Sequence, residues 1–262
     1  MKKIVTFLLL LIGLNNLFAQ TADPFIFSEI DKIKGEVLNI DNRGNIYIIS
    51  ETTLYKYSIE GKLLYSYTNN MLGRIKSIDV TSPFKILVFY EETESIIFLD
   101  EQLIPITETI DLVSKQCYSI QAAAFSTNNQ IWLYDAINND LLQLDFYFNE
   151  INKIHLNFPN LQPLQLLFIS SKNLILQDAT SGILFFDAFG TYLKTLPIIA
   201  ENIMQIDEST ISYLKDNNLH LYNYIKMDEE IIPLSIEKAK QTVRYRDKLI
   251  VLQENGTVLI SK

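Results

Sequence analysis

The sequence predicts an all-β fold, a six-bladed β-propeller of four-stranded antiparallel blades, on three observations. A strand-like run recurs six times, as NIYIIS (45–50), KILVFY (85–90), QIWLYD (130–135), NLILQD (173–178), TISYLK (210–215) and KLIVLQ (248–253). With Ile46, Ile86, Ile131, Ile175, Ile211 and Leu249 as landmarks, the intervals are 40, 45, 44, 36 and 38 residues. Each landmark run is flanked by further short runs, which makes four strands per repeat, the pattern of a propeller blade. No stretch carries sustained helical periodicity, and β-branched and aromatic residues dominate every run.

The chain opens with Met1-Lys2-Lys3, an uncharged apolar run from Ile4 to Leu14, and a small residue at Ala19. A basic start, an apolar stretch too short to span a bilayer and a small exit residue predict a secretory signal peptide over 1–19. The mature protein is then a single propeller domain over 20–262. The lone cysteine, Cys117, is far from the expected cleavage site, so no lipid is expected there. The next run, PFIFSEI (24–30), has no place in the first blade. The last repeat supplies QTVRYR, KLIVLQE and TVLISK and lacks an outermost strand. Phe25 to Ile30 is therefore expected to complete the sixth blade and lock the ring, which removes an exposed edge.

Between these ends, the inner strands are read as VLNID, IKSIDV, IQAAAF, PLQLLFI, IMQID and QTVRYR, each just ahead of its landmark run. After the landmark come TLYKYSI and KLLYSYT in the first copy, SIIFLDE and LIPITETI in the second, DLLQLDF and EINKIHL in the third, and GILFFDA and TYLKTLP in the fourth. Only eight glycines occur, and the pairs Asn128-Asn129, Asn138-Asn139 and Asn217-Asn218 take over at turns. Asn tolerates the left-handed backbone better than other residues with a side chain.

At DNRGNIYII followed by LYKYSIEGKLL, the chain resembles the NHL-like six-bladed propeller superfamily. The matching residues are Asp41, Gly44, Asn45, Ile46 and Tyr47, with Glu60-Gly61 at the second turn. The first blade keeps the whole pattern and the fourth keeps Gly190. The resemblance implies the fold. It also implies a competing activity, since some members are metal-dependent lactonases or lyases whose ligands project into the central channel.

Such chemistry needs convergent His, carboxylate or amide groups. The chain has two histidines, His155 and His220, each inside a strand-like run. Asp41, Asp79 and Asp207 close equivalent Ile-Asp pairs and could in principle gather around a Ca²⁺, but the stronger reading is a carboxylate at a strand end that caps the following turn and needs no metal. No phosphate loop, Cys-x-x-Cys, His-Glu-x-x-His or Gly-x-Ser-x-Gly is found. Cys117, in KQCYSI, reads as a buried small hydrophobe. No catalytic residue, metal or cofactor is expected. The acidic pairs around Glu91 and Asp228 read as solvated turns. At net charge −9 the chain is a poor partner for nucleic acid or anionic lipid, and no run of about 18 apolar residues follows the leader to span a membrane.

The expected partner is a protein. The links between blades are apolar, with Met71, Leu72, Leu112, Val113, Phe158, Leu161, Ile198 and Ile199, whereas the opposite face carries Asn42-Arg43, Asn128-Asn129, Ser171-Lys172, Glu60 and Lys226. These link residues either form an exposed docking face or tuck between blades. A second candidate is the basic stretch of the sixth blade, with Arg244 and Arg246 beside Lys238, Lys240 and Lys248, as ordinary solvated charge or as a dock for an acidic partner. The functional expectation is an exported, non-enzymatic interaction scaffold, periplasmic, an accessory subunit of an outer-membrane assembly or secretion complex. The alternative is the channel-centred, metal-dependent hydrolase or lyase.

Overall fold

In the computed structural model the described residues are 26–30, 34–126, 128–169, 173–200, 202–205 and 209–261. Residues 1–19, Phe25 and Asp207 lie outside them. The described strands form six four-stranded antiparallel sheets. The leading strand, β1 (Phe27–Glu29), does not belong to the first blade. That blade is β2 (Val37–Ile40), β3 (Ile46–Ser50), β4 (Thr53–Tyr57) and β5 (Leu63–Thr68), from the channel outward. The second is β6 (Ser77–Asp79), β7 (Ile86–Tyr90), β8 (Ser95–Leu99) and β9 (Ile110–Asp111). The third is β10 (Ile120–Phe125), β11 (Ile131–Asp135), β12 (Asp140–Leu144) and β13 (Glu150–His155). The fourth is β14 (Pro163–Ile169), β15 (Asn173–Asp178), β16 (Gly182–Asp187) and β17 (Tyr192–Leu196). The fifth is β18 (Ile203–Gln205), β19 (Thr210–Lys215), β20 (Asn218–Asn223) and β21 (Asp228–Pro233). The sixth is β22 (Ala239–Tyr245), β23 (Lys248–Gln253), β24 (Val258–Ser261) and, closing it, β1.

The closure has the register Phe27↔Ser261, Ser28↔Ile260 and Glu29↔Leu259, extended by the Ile30 amide donating to the Val258 carbonyl at 2.8 Å. The expected strand over Phe25 to Ile30 is thus shorter, Phe27–Glu29, but sits where the missing fourth strand demanded.

The core is a set of layers between neighbouring blades. In β7, Ile86, Val88 and Tyr90 pack with Tyr47, Ile49 and Leu54 of the first blade. Leu87 and Phe89, which alternate with them, pack with Phe125, Ile131 and Leu133 of the third. A middle strand buried on both faces reads as an unbroken apolar run, which is why the landmark runs repeat so clearly in the sequence. Side-chain bonds staple the inner strands across blades: Asp79 Oδ2 accepts from the Phe125 amide at 2.8 Å, Gln241 Oε1 from the Leu38 amide at 2.9 Å, and Gln165 Nε2 donates to the Ile203 carbonyl at 2.8 Å.

One strand departs from expectation. The run LIPITETI does not form a continuous fourth strand; β9 is two residues, preceded by an isolated bridge between Leu99 and Pro105. Pro105 has no N–H to offer the ladder. The Thr107 hydroxyl oxygen takes over as acceptor for the Phe98 amide at 3.1 Å, and the Ile106 amide donates to the Phe98 carbonyl at 2.9 Å.

Candidate functional site

The channel contains a cavity of about 480 Å³, lined by the six inner strands. Asn39, Ser77, Gln121, Gln165 and Arg244 give it polar groups, and Ile40, Ile78, Leu164 and Met204 apolar ones. Its carboxylates are already engaged. Asp41 Oδ1 accepts from the amides of Arg43 and Asn45, each at 2.9 Å, and Oδ2 from Asn45 Nδ2 at 2.8 Å and the Tyr47 hydroxyl at 3.0 Å. Asp79 accepts from Thr81 and Phe125 amides; burial pushes its pKa up, and those amides only partly offset it. The two aspartates are turn caps and staples.

The histidines lie elsewhere. His155, on the outer strand β13, bonds Asp140 through Nδ1 at 2.9 Å, and Lys153 pairs with the same carboxylate. His220, on β20, stacks on Tyr213 with 4.8 Å between ring centroids and bonds Glu229 Oε1 at 3.0 Å. Among the described residues no three His, Cys, Asp or Glu side chains converge to hold a metal ion. Cys117 is buried, its thiol pushed up to about 11 by desolvation and then by the charges of Asp135 and Glu150.

The expected docking residues separate into two groups. Met71 is 91% exposed, Val113 43% and Ile199 51%. Leu112 is fully buried between the second and third blades, and Leu72, Phe158, Leu161 and Ile198 are partly buried against inter-blade layers. Phe158 also packs on Tyr192 at 5.0 Å. A link crosses from an outer strand to the next inner strand directly over the seam between blades, so alternate apolar side chains drop into that seam. The link face is therefore not a continuous apolar ring.

The basic stretch is dispersed as well. β22 runs from one face to the other at about 3.3 Å per residue, which sets Lys238 and Arg246 on the order of 25 Å apart. Lys240 donates to the Glu36 carbonyl, Lys248 to the Ser261 carbonyl, and Arg244 Nε to the Arg246 carbonyl. Arg244 faces the channel, while Arg246 lies over the Tyr245 ring at 5.1 Å.

The opposite face, expected to be polar, carries the larger apolar tips, and one local device places them. In the turns between third and fourth strands, Asp100 Oδ1 accepts from the amides of Gln102 and Ile104, Asp145 Oδ1 from Tyr147 and Asn149, and Asp187 Oδ1 from Phe189 and Thr191. Ser58 Oγ does the same for Glu60 and Lys62. The fourth residue of each turn is left-handed: Gly61, Leu103, Phe148 and Gly190. With the first side chain folded inward to hold the turn, the third residue points out. Hence Tyr147 is 80% exposed and Phe189 74%; in the fifth blade Asn223 bonds the amides of Ile225 and Lys226 and leaves Ile225 69% exposed. Ile26, Phe84 and Ile104 are also exposed on this face. Arg43 stacks on Phe84 at 4.4 Å and pairs with Glu101. Composition alone does not single out these tips, since Tyr147 stands between Phe146 and Phe148 and Phe189 between Ala188 and Gly190, so nothing next to either residue marks it as the exposed one. The readable signal is the five-residue turn itself: DEQLI, DFYFN and DAFGT repeat the first blade's DNRGN.

No family model and no curated protein matches the chain. Solved structures show the fold alone. The chain is similar to a catalytically inactive variant of virginiamycin B lyase from Staphylococcus aureus, in which a histidine is replaced, solved with quinupristin, at 13% identity and TM-score 0.60 over 88% of this chain and 82% of that one. It is similar to BamB from Moraxella catarrhalis at 9% identity and TM-score 0.58, over 90% of this chain and all of that one. A chain of a mitotic checkpoint complex matches at 12% identity and TM-score 0.60, over 100% of this chain and 98% of that one. A likeness of fold that takes in both a lyase and a chain of a protein complex does not by itself assign a role.

Proposed function

We propose that this protein is an exported, non-enzymatic interaction scaffold, a periplasmic accessory subunit of a cell-envelope complex of the outer-membrane assembly or secretion type, which docks its partner on the turn face. The observation that carries this reading is the set of solvent-facing tips Tyr147, Phe189 and Ile225, one on each of three consecutive blades, each on a turn whose backbone amide is held by a side-chain oxygen. A backbone already fixed loses little conformational freedom on binding, and exposed aromatic side chains are favoured as interface anchors. Export rests on the leader at 1–19, and the envelope setting on that leader together with the likeness in fold to BamB.

The competing reading is a metal-dependent lyase or hydrolase in the channel, favoured by the cavity there and by the likeness in fold to virginiamycin B lyase. It is the weaker one because Asp41 and Asp79 are engaged by turns and both histidines sit on third or fourth strands. The experiment is affinity recovery from solubilised envelopes with wild type and with a Tyr147→Ser, Phe189→Ser, Ile225→Ser variant, alongside metal analysis of the purified protein. The scaffold reading expects a specific partner with wild type, its loss with the folded variant, and no stoichiometric metal. Undiminished recovery by the variant moves the dock off this face. One Ca²⁺ or Zn²⁺ per chain replaces the reading with the enzyme.

A further inference from the structure

A second surface, on the outer wall, has a different character from the turn face. A propeller exposes six outer strands, and an outer strand offers unpaired N–H and C=O groups to any extended chain that reaches it. Five of the six are blunted. β1 is three residues with Glu29 at its end, and β9 is two residues behind Pro105. β13 carries Glu150 and Lys153, β17 carries Lys194 and stops before Pro197, and β21 begins Asp228-Glu229-Glu230 and ends at Pro233.

The sixth, β5, reads Leu63-Leu64-Tyr65-Ser66-Tyr67-Thr68, with no charge and no proline. It is the last strand of its sheet, paired among the described residues only with β4. Leu63, Leu64 and Tyr65 are exposed. The bulge at its start is shared with β13 and β17, so it does not set β5 apart, and beyond it Tyr65 to Thr68 pair regularly with Lys56 to Thr53. The edge is also held rigid from within. Tyr67 is buried against the second blade, the Thr53 and Thr68 hydroxyls bond each other at 2.8 Å, and Lys56, opposite Tyr65, donates to the Glu101 carbonyl at 2.7 Å.

We propose that the free edge of β5 is a strand-addition site for an extended, uncharged segment of a partner protein. The alternative occupant, a second copy paired edge to edge, fits poorly. Six residues of edge are a small part of the roughly 20–30 residues a side that a stable protein–protein interface uses. Two round bodies meeting along convex walls add little beyond that strip, and at net charge −9 each the copies repel. A flexible segment pays neither penalty, and main-chain bonds to a rigid edge supply its affinity while side chains set its sequence. Opposite Tyr65 the fitting partner residue is aromatic or β-branched, and opposite Ser66 and Thr68 a threonine or serine. The site is independent of the turn face and is tested on the purified chain alone.

The probe is a fluorescent peptide, acetyl-Thr-Val-Tyr-Val-Thr-Val-amide, titrated by anisotropy. Binding is expected with wild type and with an Ile151→Lys variant on β13. A Leu64→Lys, Ser66→Lys variant should bind roughly tenfold or more weakly, since edge lysines are how sheets refuse an added strand. Two N-methylated peptides, each blocked at alternate amides in opposite phase, separate pairing from adhesion: one phase should lose binding and the other retain it. No binding by wild type, binding that survives the two edge lysines, or equal loss with both methylated peptides overturns the proposal. So does a wild-type dimer in sedimentation that those lysines convert to monomer, because the second copy is then the occupant.

Discussion

Single side chains decide whether a turn holds and what it displays. Asp178 is buried and accepts from the amides of Thr180 at 3.0 Å and Ser181 at 2.7 Å, from Thr180 Oγ1 at 2.8 Å and from the Gln162 amide. Burial pushes its pKa up, but these donors outweigh it and hold the carboxyl below the ordinary range. A depressed folded pKa means the stabilisation is present above the unfolded value of about 3.9 and lost as pH falls through the folded one. Asp178→Asn should therefore be less stable than wild type near neutrality, with the gap in urea midpoints closing below about pH 4; a gap constant with pH refutes the assignment. Gly190 sits at φ 84°, and an added Cβ would lie 2.5 Å from Ile154 Cδ1 and 3.0 Å from the ring of Trp132. Gly190→Ala should cost roughly 1–3 kcal/mol, read from urea unfolding by the fluorescence of Trp132, the one tryptophan. Cys117, with its thiol near 11, should resist alkylation at pH 8 in the folded protein and react at once in denaturant.

At the level of elements, closure and links carry different loads. β1 covers the outer edge of β24 through three residue pairs. Deleting residues 26–29 should lower the melting temperature and promote self-association through the uncovered edge, both checked by calorimetry and sedimentation at several concentrations. The links should respond by burial rather than by composition. Met71→Asp is expected to change stability by no more than about 0.5 kcal/mol. Leu72→Asp and Phe158→Asp each place a charge in a seam between blades and should cost about 2 kcal/mol or more. Equal effects at all three sites would mean the link side chains do not divide into seam and surface.

Over the whole molecule, the fold was legible because a propeller writes its core into local pattern. Each middle strand is buried on both sides by its neighbours, so Ile86 to Tyr90 and Ile131 to Asp135 stand out as landmark runs, and the surplus run around Phe27 announced the closure of the ring. The binding face was less legible. Leu112 and Val113 are adjacent and alike in sequence, yet one fills the seam between two blades and the other meets solvent. Tyr147 and Phe148 are a matching pair: the first is exposed, and the second, left-handed, packs against the layer between the second and third blades. Only the packing of one blade on the next separates such pairs. The carboxylates followed the same division, since Asp41 and Asp79 stand at equivalent positions and only the structure shows Asp79 spending an oxygen on the Phe125 amide of the neighbouring blade. Strand count and blade order came from the sequence alone, because each depends on contacts with a short repeating period, and the ring's closure followed from a surplus run at one end and a missing strand at the other, although its pairing joins residues far apart in the chain. Which apolar side chains face a partner, and which outer edge is left open, were decided by the tertiary structure, because both depend on what the neighbouring blades cover.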